Sequence, residues 1–332
     1  MIFKEFNLHQ TNGCILPKSI TLKKNGKLIK FRKGTTVNTE IIKLLKTNNI
    51  LKLYCFKIEK DELDENSAAE KISNSLISNH QKNLIIKNFL TGRSNIIANK
   101  DGVFYYDENK LIEINNVSNN IAVSALRPYT RVIKGQELVT TKIIPYAIKK
   151  NDFQKINIFG KGCFNLAPFK KIKVGLIQTY TKETKSSILD KTKLITENRL
   201  KSCGINSIFE TRTPHDEKDL NKELEKCIKK GYKLILIFGV HAISDVRDLI
   251  PRVIKKNKGT IIRIGMPVEP GNLILISKLL KKDNNETFII GMPSCAKSPK
   301  ENGADWILWR IISGLKINNK IINKMGIGGL LK

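Results

Sequence analysis

The residue types that could do chemistry in this 332-residue chain crowd into a few segments of its second half. One is Gly239-Val240-His241-Ala242-Ile243-Ser244-Asp245-Val246-Arg247-Asp248, where two carboxylates three positions apart precede an apolar stretch. Carboxylates so placed can orient a magnesium-bound anion, and the same placement suits a helix N-cap. Two further segments are Gly265-Met266-Pro267-Val268-Glu269-Pro270-Gly271-Asn272 and Gly291-Met292-Pro293-Ser294-Cys295-Ala296-Lys297-Ser298-Pro299-Lys300, with Arg212-Thr213-Pro214-His215-Asp216 upstream. Glycine and proline fix backbone amides in such loops, and amides at helix N-termini are ready anion sites. Lys297 and Lys300 add point charges for a phosphate. Ser294 and Ser298 add hydroxyls that serve equally as helix caps, and His241 is of the residue type that carries protons in general acid–base chemistry. Arg247 is placed to pair with Asp245 or Asp248.

These segments gain meaning from the elements between them. From Lys173 onward, short β-branched runs alternate with amphipathic stretches, the pattern of a parallel sheet wrapped by helices. Strands are expected at Lys173 to Thr179, Asn206 to Glu210, Lys233 to Phe238, Thr260 to Gly265 and Thr287 to Gly291. Helices are expected through Ile188, Thr192, Ile195 and Leu200, through Leu220, Leu224 and Cys227, and over Asp248 to Lys256, Asn272 to Lys281 and Asn302 to Gly314. In an open α/β sheet, ligands bind at the carboxyl ends of the strands, where the loops above would lie. The first half reads as β-rich: a helix over Asn38 to Asn48, a strand at Ile50 to Ile58, a helix over Asp61 to Ser78, then strands at Val103 to Tyr106, Leu111 to Ile114, Ile121 to Leu126 and Glu137 to Ile144. The expected division is a β-rich α+β accessory region over residues 1–150, a linker over 151–168 around Gly160, Gly162 and Pro168, and an α/β domain over 169–332.

Composition narrows the function. The net charge is +29, yet only ten of the 59 cations are Arg and aromatic residues make up 7%. Nucleic-acid recognition leans on Arg and interleaved aromatics, so the charge points to a small anionic ligand and no nucleic acid. The six cysteines show no CxxC pair and no His at zinc-finger spacing, which excludes a disulfide scaffold and a structural zinc. Cys203 and Cys227 fall on apolar helical faces, and Cys295 lies in a loop with no His nearby. No apolar run is long enough for a membrane span, and the first ten residues carry Lys4, Glu5 and His9 where a signal peptide is apolar. A cytoplasmic protein without a membrane partner is expected.

The ordered set Thr213 to Asp216, Gly239 to Asp248, Gly265 to Gly271 and Gly291 to Pro299 resembles the molybdopterin-binding domain shared by molybdopterin adenylyltransferases, molybdopterin molybdotransferases and gephyrin. Asp190-Lys191-Thr192 resembles the family's Asp-Ser-Asn. Ala242 to Asp245, Arg247-Asp248 and Met325 to Leu330 are most similar to a molybdotransferase-like bacterial branch. Arg32-Lys33-Gly34 with the helix and strand after it looks like a segment that precedes this domain in molybdotransferases, here far upstream of it. The resemblance implies a three-layer αβα fold with a mostly parallel sheet and a homo-oligomer. It implies a pterin ligand, molybdopterin, held by Gly239, Ser244, Asp245, Pro270, Gly271, Ser294, Lys297 and Ser298. Asp248 and Asp190 would be catalytic, with Asp248 on Mg2+ or polarising molybdate. The implied function is in molybdenum cofactor biosynthesis, as a transferase placing molybdate on molybdopterin. The alternative is a non-catalytic carrier or sensor that serves a molybdoenzyme or cofactor-modifying enzyme. Val240 and His241 stand where the family has a double glycine, and Met292-Pro293-Ser294 where it has Leu-Pro-Gly. Side chains thus replace bare backbone at two approaches to the ligand, which compromises the reaction more than the binding.

Overall fold

The computed structural model describes residues 1–78, 82–280 and 286–329. The chain divides into two compact units, Met1–Lys100 with Phe104–Leu166, and Asp101–Val103 with Ala167–Lys332.

In the first unit β1 (Ile2–Asn7) pairs with β4 (Lys52–Lys57) and β2 (Ile20–Lys24) with β3 (Lys27–Phe31), all antiparallel. With α1 (Thr39–Thr47) they enclose Leu16, Leu22, Leu45 and Cys55. A four-stranded antiparallel sheet follows in the order β6 (Leu84–Phe89), β7 (Arg93–Ala98), β11 (Glu137–Ile143), β9 (Ile121–Ala125). Two smaller sheets join β5 (Glu62–Asp64) to β12 (Ala147–Lys149), and β10 (Thr130–Val132) to β8 (Gly102–Tyr105) and β13 (Asn165–Pro168). The helices α2 (Glu65–Leu76), α3 (Glu108–Asn116) and α4 (Lys150–Gly160) supply Ile72, Leu76, Ile114 and Ile156 to the second core of this unit.

Two expectations fail here for local reasons. Leu111 to Ile114 is helical, because Asp107 accepts a hydrogen bond from the Asn109 amide at 3.0 Å and starts a helix that buries Ile114 alone. Residues 151–168 hold α4 and β13 rather than an irregular connection. Gly160, which reads as a loop residue, is a packing residue: a Cβ there would lie 2.7 Å from Leu76 Cδ2 and 2.9 Å from Ile114 Cδ1.

The second unit is a three-layer α/β domain. Its six-stranded sheet runs β15 (Phe209–Pro214), β14 (Val174–Tyr180), β16 (Leu234–Phe238), β19 (Glu286–Gly291), β18 (Leu275–Leu280), β17 (Thr260–Ile264). The first four strands are parallel and only β18 is reversed. Strand alternation divides the core in two. Leu176, Leu236 and Ile290 meet α5 (Ser186–Lys201), α8 (Gly303–Ser313) and α9 (Asn319–Lys324), whereas Ile177, Ile237 and Ile289 meet α6 (Glu217–Lys229) and α7 (Leu249–Lys256).

The stretch read as a helix over Asn272 to Lys281 contains β18 instead, and Lys281 lies outside the described residues. Leu275 joins one core and Ile276 the other, so the run is buried on both faces, as in an interior strand. The second strand starts three residues later than expected, at Phe209. Trp306 and Trp309 pack against the core from α8.

Candidate functional site

Because β18 alone is reversed, the chain leaves β14, β15, β16, β17 and β19 at one edge of the sheet. At that edge a cavity of about 300 Å³ opens between the ends of β14 and β16, the turn over residues 181–184 and the first turn of α5. Its wall includes Thr179, Thr181, Glu183, Thr184, Gly239, Val240 and Lys297.

Thr179 ties the floor together. Its Oγ1 accepts from the Val240 amide at 3.1 Å, donates to the Phe238 carbonyl at 3.3 Å and shares a hydrogen bond of 2.8 Å with His215 Nδ1. His215 in turn meets the His241 ring edge-on, centroids 5.6 Å apart. Burial and the neighbouring His241 hold His215 below the usual histidine range, against a smaller opposing pull from Asp216. Gln178, also in the wall, spends its amide on the Leu189 carbonyl at 2.9 Å and Glu210 at 2.8 Å. Thr184 Oγ1 accepts from the Thr181 amide at 3.0 Å and closes the turn that leads into α5.

Lys297 is the cation of this cavity. It lies on a one-turn helix, Ser294–Lys297, that follows β19. It is half-buried, and among the described residues its ammonium has no carboxylate or hydrogen-bond partner. Burial pushes its pKa below the usual lysine range. A lysine so placed favours an anion that would supply the missing partner. Glu183, at the exposed rim, is held below the usual carboxylate range by the Thr181 hydroxyl.

The sequence-derived residues divide into those the cavity gathers and those it does not. Gly239 and Lys297 meet there. Ser244, Asp245 and Asp248 form a self-contained turn beyond it. Asp248 makes no side-chain cap on α7; its Oδ2 accepts from the Ser244 amide at 2.8 Å and the Asp245 amide at 3.0 Å, which lowers its pKa. Asp245 is held at about 2 by Arg247, whose Nε donates to it at 2.7 Å. Asp190, on α5, pairs with Arg212 at 2.6 Å and is not part of the cavity wall.

Pro270 and Gly271 serve the fold. The Pro270 carbonyl accepts from the Gly303 amide at 2.8 Å, and a Cβ on Gly271 would lie 2.6 Å from the Gly303 nitrogen. With Asn302 and Asp305 forming a capping box, the first turn of α8 is satisfied by protein groups. Ser294 is exposed, and the Ser298 carbonyl accepts from Arg199 at 2.7 Å. No group of three metal-ligating side chains exists among the described residues, so a Mg2+ ion here would draw most of its ligands from substrate phosphate and water.

Sequence reasoning passed over Thr179, Thr181, Glu183 and Thr184. The signal was present in the hydroxyl-dense run Thr179-Tyr180-Thr181-Lys182-Glu183-Thr184-Lys185-Ser186-Ser187, directly after an apolar strand.

No family model matches this chain, and no curated protein does. Among solved structures, one described as a molybdenum cofactor biosynthesis protein from Corynebacterium diphtheriae is similar over 49% of this chain and 100% of its own, at 15% identity and a TM-score of 0.28. No helix among the described residues is long and apolar enough to cross a membrane.

Proposed function

We propose that the second unit binds the phosphate end of molybdopterin in the cavity at the ends of β14 and β16, and that the protein serves molybdenum cofactor biosynthesis. The observation that carries this reading is the half-buried Lys297 ammonium, without a partner among the described residues, in a cavity walled by threonines and Gly239. The resemblance of the ordered loop motifs to the molybdopterin-binding domain supports molybdopterin as that ligand. A cavity of about 300 Å³ is at the small end of ligand sites, with room for a phosphate and the atoms beside it. Lys297 would supply the charge that holds it. Mass spectrometry of the ligand retained by the purified protein tests the assignment. A pterin phosphate retained by the wild type and lost from Lys297→Ala supports it; a retained ligand without phosphate, or equal retention by the variant, refutes it.

Within this reading, the commitments of the two candidate catalytic carboxylates favour a carrier or sensor over a transferase. Asp248 is engaged by two loop amides and Asp190 by Arg212. If the protein instead transfers molybdate, Asp248 would hold a cation that offsets the charge of the two anions, a role worth roughly a hundredfold in rate. Reconstitution of an apo-molybdoenzyme separates the two. Asp248→Asn keeps an oxygen for the two amides, so equal reconstitution by variant and wild type fits the carrier, and a hundredfold drop fits the transferase.

A further inference from the structure

The loop that carries Lys297 is anchored from beneath by an ion pair that no chemistry at the cavity uses. Arg199, near the end of α5, and Asp305, in the first turn of α8, form a salt bridge with side chains only 7% and 5% exposed. The second arm of the guanidinium donates to the Ser298 carbonyl at 2.7 Å and reaches the Lys300 carbonyl at 3.5 Å. Asp305 also accepts from the Asn302 amide at 2.9 Å. One planar cation therefore joins α5, α8 and the segment that directly follows Lys297.

A buried ion pair adds little to net stability, because desolvation offsets most of the attraction. What it supplies is geometry: a guanidinium has fixed donor directions, and here two are spent on different partners. Lys297 has no side-chain partner of its own among the described residues, so its ammonium is placed by the backbone that bears it. The next residue of that backbone is the one Arg199 holds.

We propose that Arg199, locked by Asp305, is a positioning residue that aims the Lys297 ammonium into the cavity and keeps it half-buried. This rests on the reading that Lys297 grips the anionic end of the ligand. Removing Arg199 alone would strand a buried carboxylate and threaten folding. The paired replacement Arg199→Met with Asp305→Asn removes both charges and keeps an oxygen for the Asn302 amide.

The test is a cycle of four full-length proteins: wild type, Lys297→Ala, the Arg199→Met/Asp305→Asn variant, and all three changes together. Inorganic phosphate, followed by 31P NMR, is the probe. The paired replacement should weaken phosphate binding about tenfold when Lys297 is present and not at all when it is alanine, the non-additivity expected of coupled groups. The loss of binding at high pH should also move upward in the paired variant, because an exposed ammonium titrates later than a buried one. A loss of equal size in both backgrounds overturns the proposal by showing a general effect on the fold, and so does no loss in either. If Lys297→Ala itself binds phosphate as the wild type does, the reading of the cavity fails first. Thermal melts of all four proteins check that folding is retained. Should the paired variant not fold, Arg199→Lys takes its place in the cycle. Lysine keeps the charge opposite Asp305 but loses the guanidinium's second arm, so the same Lys297-dependent loss is expected, and full binding would overturn the proposal.

Discussion

At the scale of single residues, the site is governed by which polar groups already have partners. Asp248, Asp245 and Asp190 are the residues a sequence reader selects, because carboxylates near helix starts look chemical, yet each is engaged by amides or arginine. Lys297 is one lysine in a chain full of them, and its distinction lies in burial without a partner, which no spacing rule reveals. His215 offers a check on the electrostatics at the floor of the cavity. Its folded pKa lies below the ordinary value of about 6.5. As pH falls from that ordinary value through the lowered one, the unfolded chain binds more protons than the folded one, so stability is lost on the acid side. Burial is the larger cause of the depression of His215, and replacing His241 removes the second. In His241→Ala the His215 resonance, followed by NMR, should therefore titrate at higher pH, and the urea midpoint should fall less between pH 7.5 and 5.5. An unchanged His215 titration would leave burial as its sole cause.

At the scale of elements, residues that look alike in sequence divide by what their backbone does. The strands β14, β16 and β19 were legible because their runs are apolar on both faces, as in the interior of a sheet covered by helices on both sides. The same property made β18 illegible, since Leu273 to Leu280 satisfies helical spacing as well as strand spacing until its neighbours exist. Pro270 and Gly271 show the matching ambiguity for the site. A Pro-Gly loop beside a helix is what an anion site requires, and it is also what lets a loop lie flat on a helix start. Gly271 adopts φ +128°, and a Cβ there would lie 2.6 Å from the Gly303 nitrogen. Both the backbone region and the space exclude a side chain. Gly271→Ala should cost roughly 1–3 kcal/mol, the range for a strained backbone position, read as a lower urea midpoint at unchanged slope. Affinity for phosphate in the surviving folded protein should stay near the wild-type value, because the residue packs against α8 and is not part of the cavity wall. A stable variant that no longer binds would return Gly271 to the ligand.

At the scale of the whole molecule, the positive charge and the division into units ask different questions. A net charge of +29 raises the local concentration of any anion, which helps encounter more than it selects. Selection is left to the few buried groups of the second unit. That the second half forms a layered α/β domain was legible from alternation, whereas the first half was legible only as β-rich, because its short strands and the helices α1 to α4 pair in ways no local pattern dictates. Each unit carries hydrophobic clusters of its own, with Ile72, Leu76, Phe104 and Phe164 in the first and Leu176, Leu236, Ile290 and Ile312 in the second. Separate cores allow separate unfolding. Leu236 is fully buried in the central strand β16, so Leu236→Ala should cost about 2–5 kcal/mol through lost burial and the cavity it leaves. Differential scanning calorimetry of the full chain should then show one of two transitions moved down by several degrees and the other where it was. Phosphate should raise only the transition that Leu236→Ala lowers, since a ligand stabilises the cooperative unit that holds its site. A single transition that shifts as a whole under both treatments would mean that the two units unfold as one cooperative body.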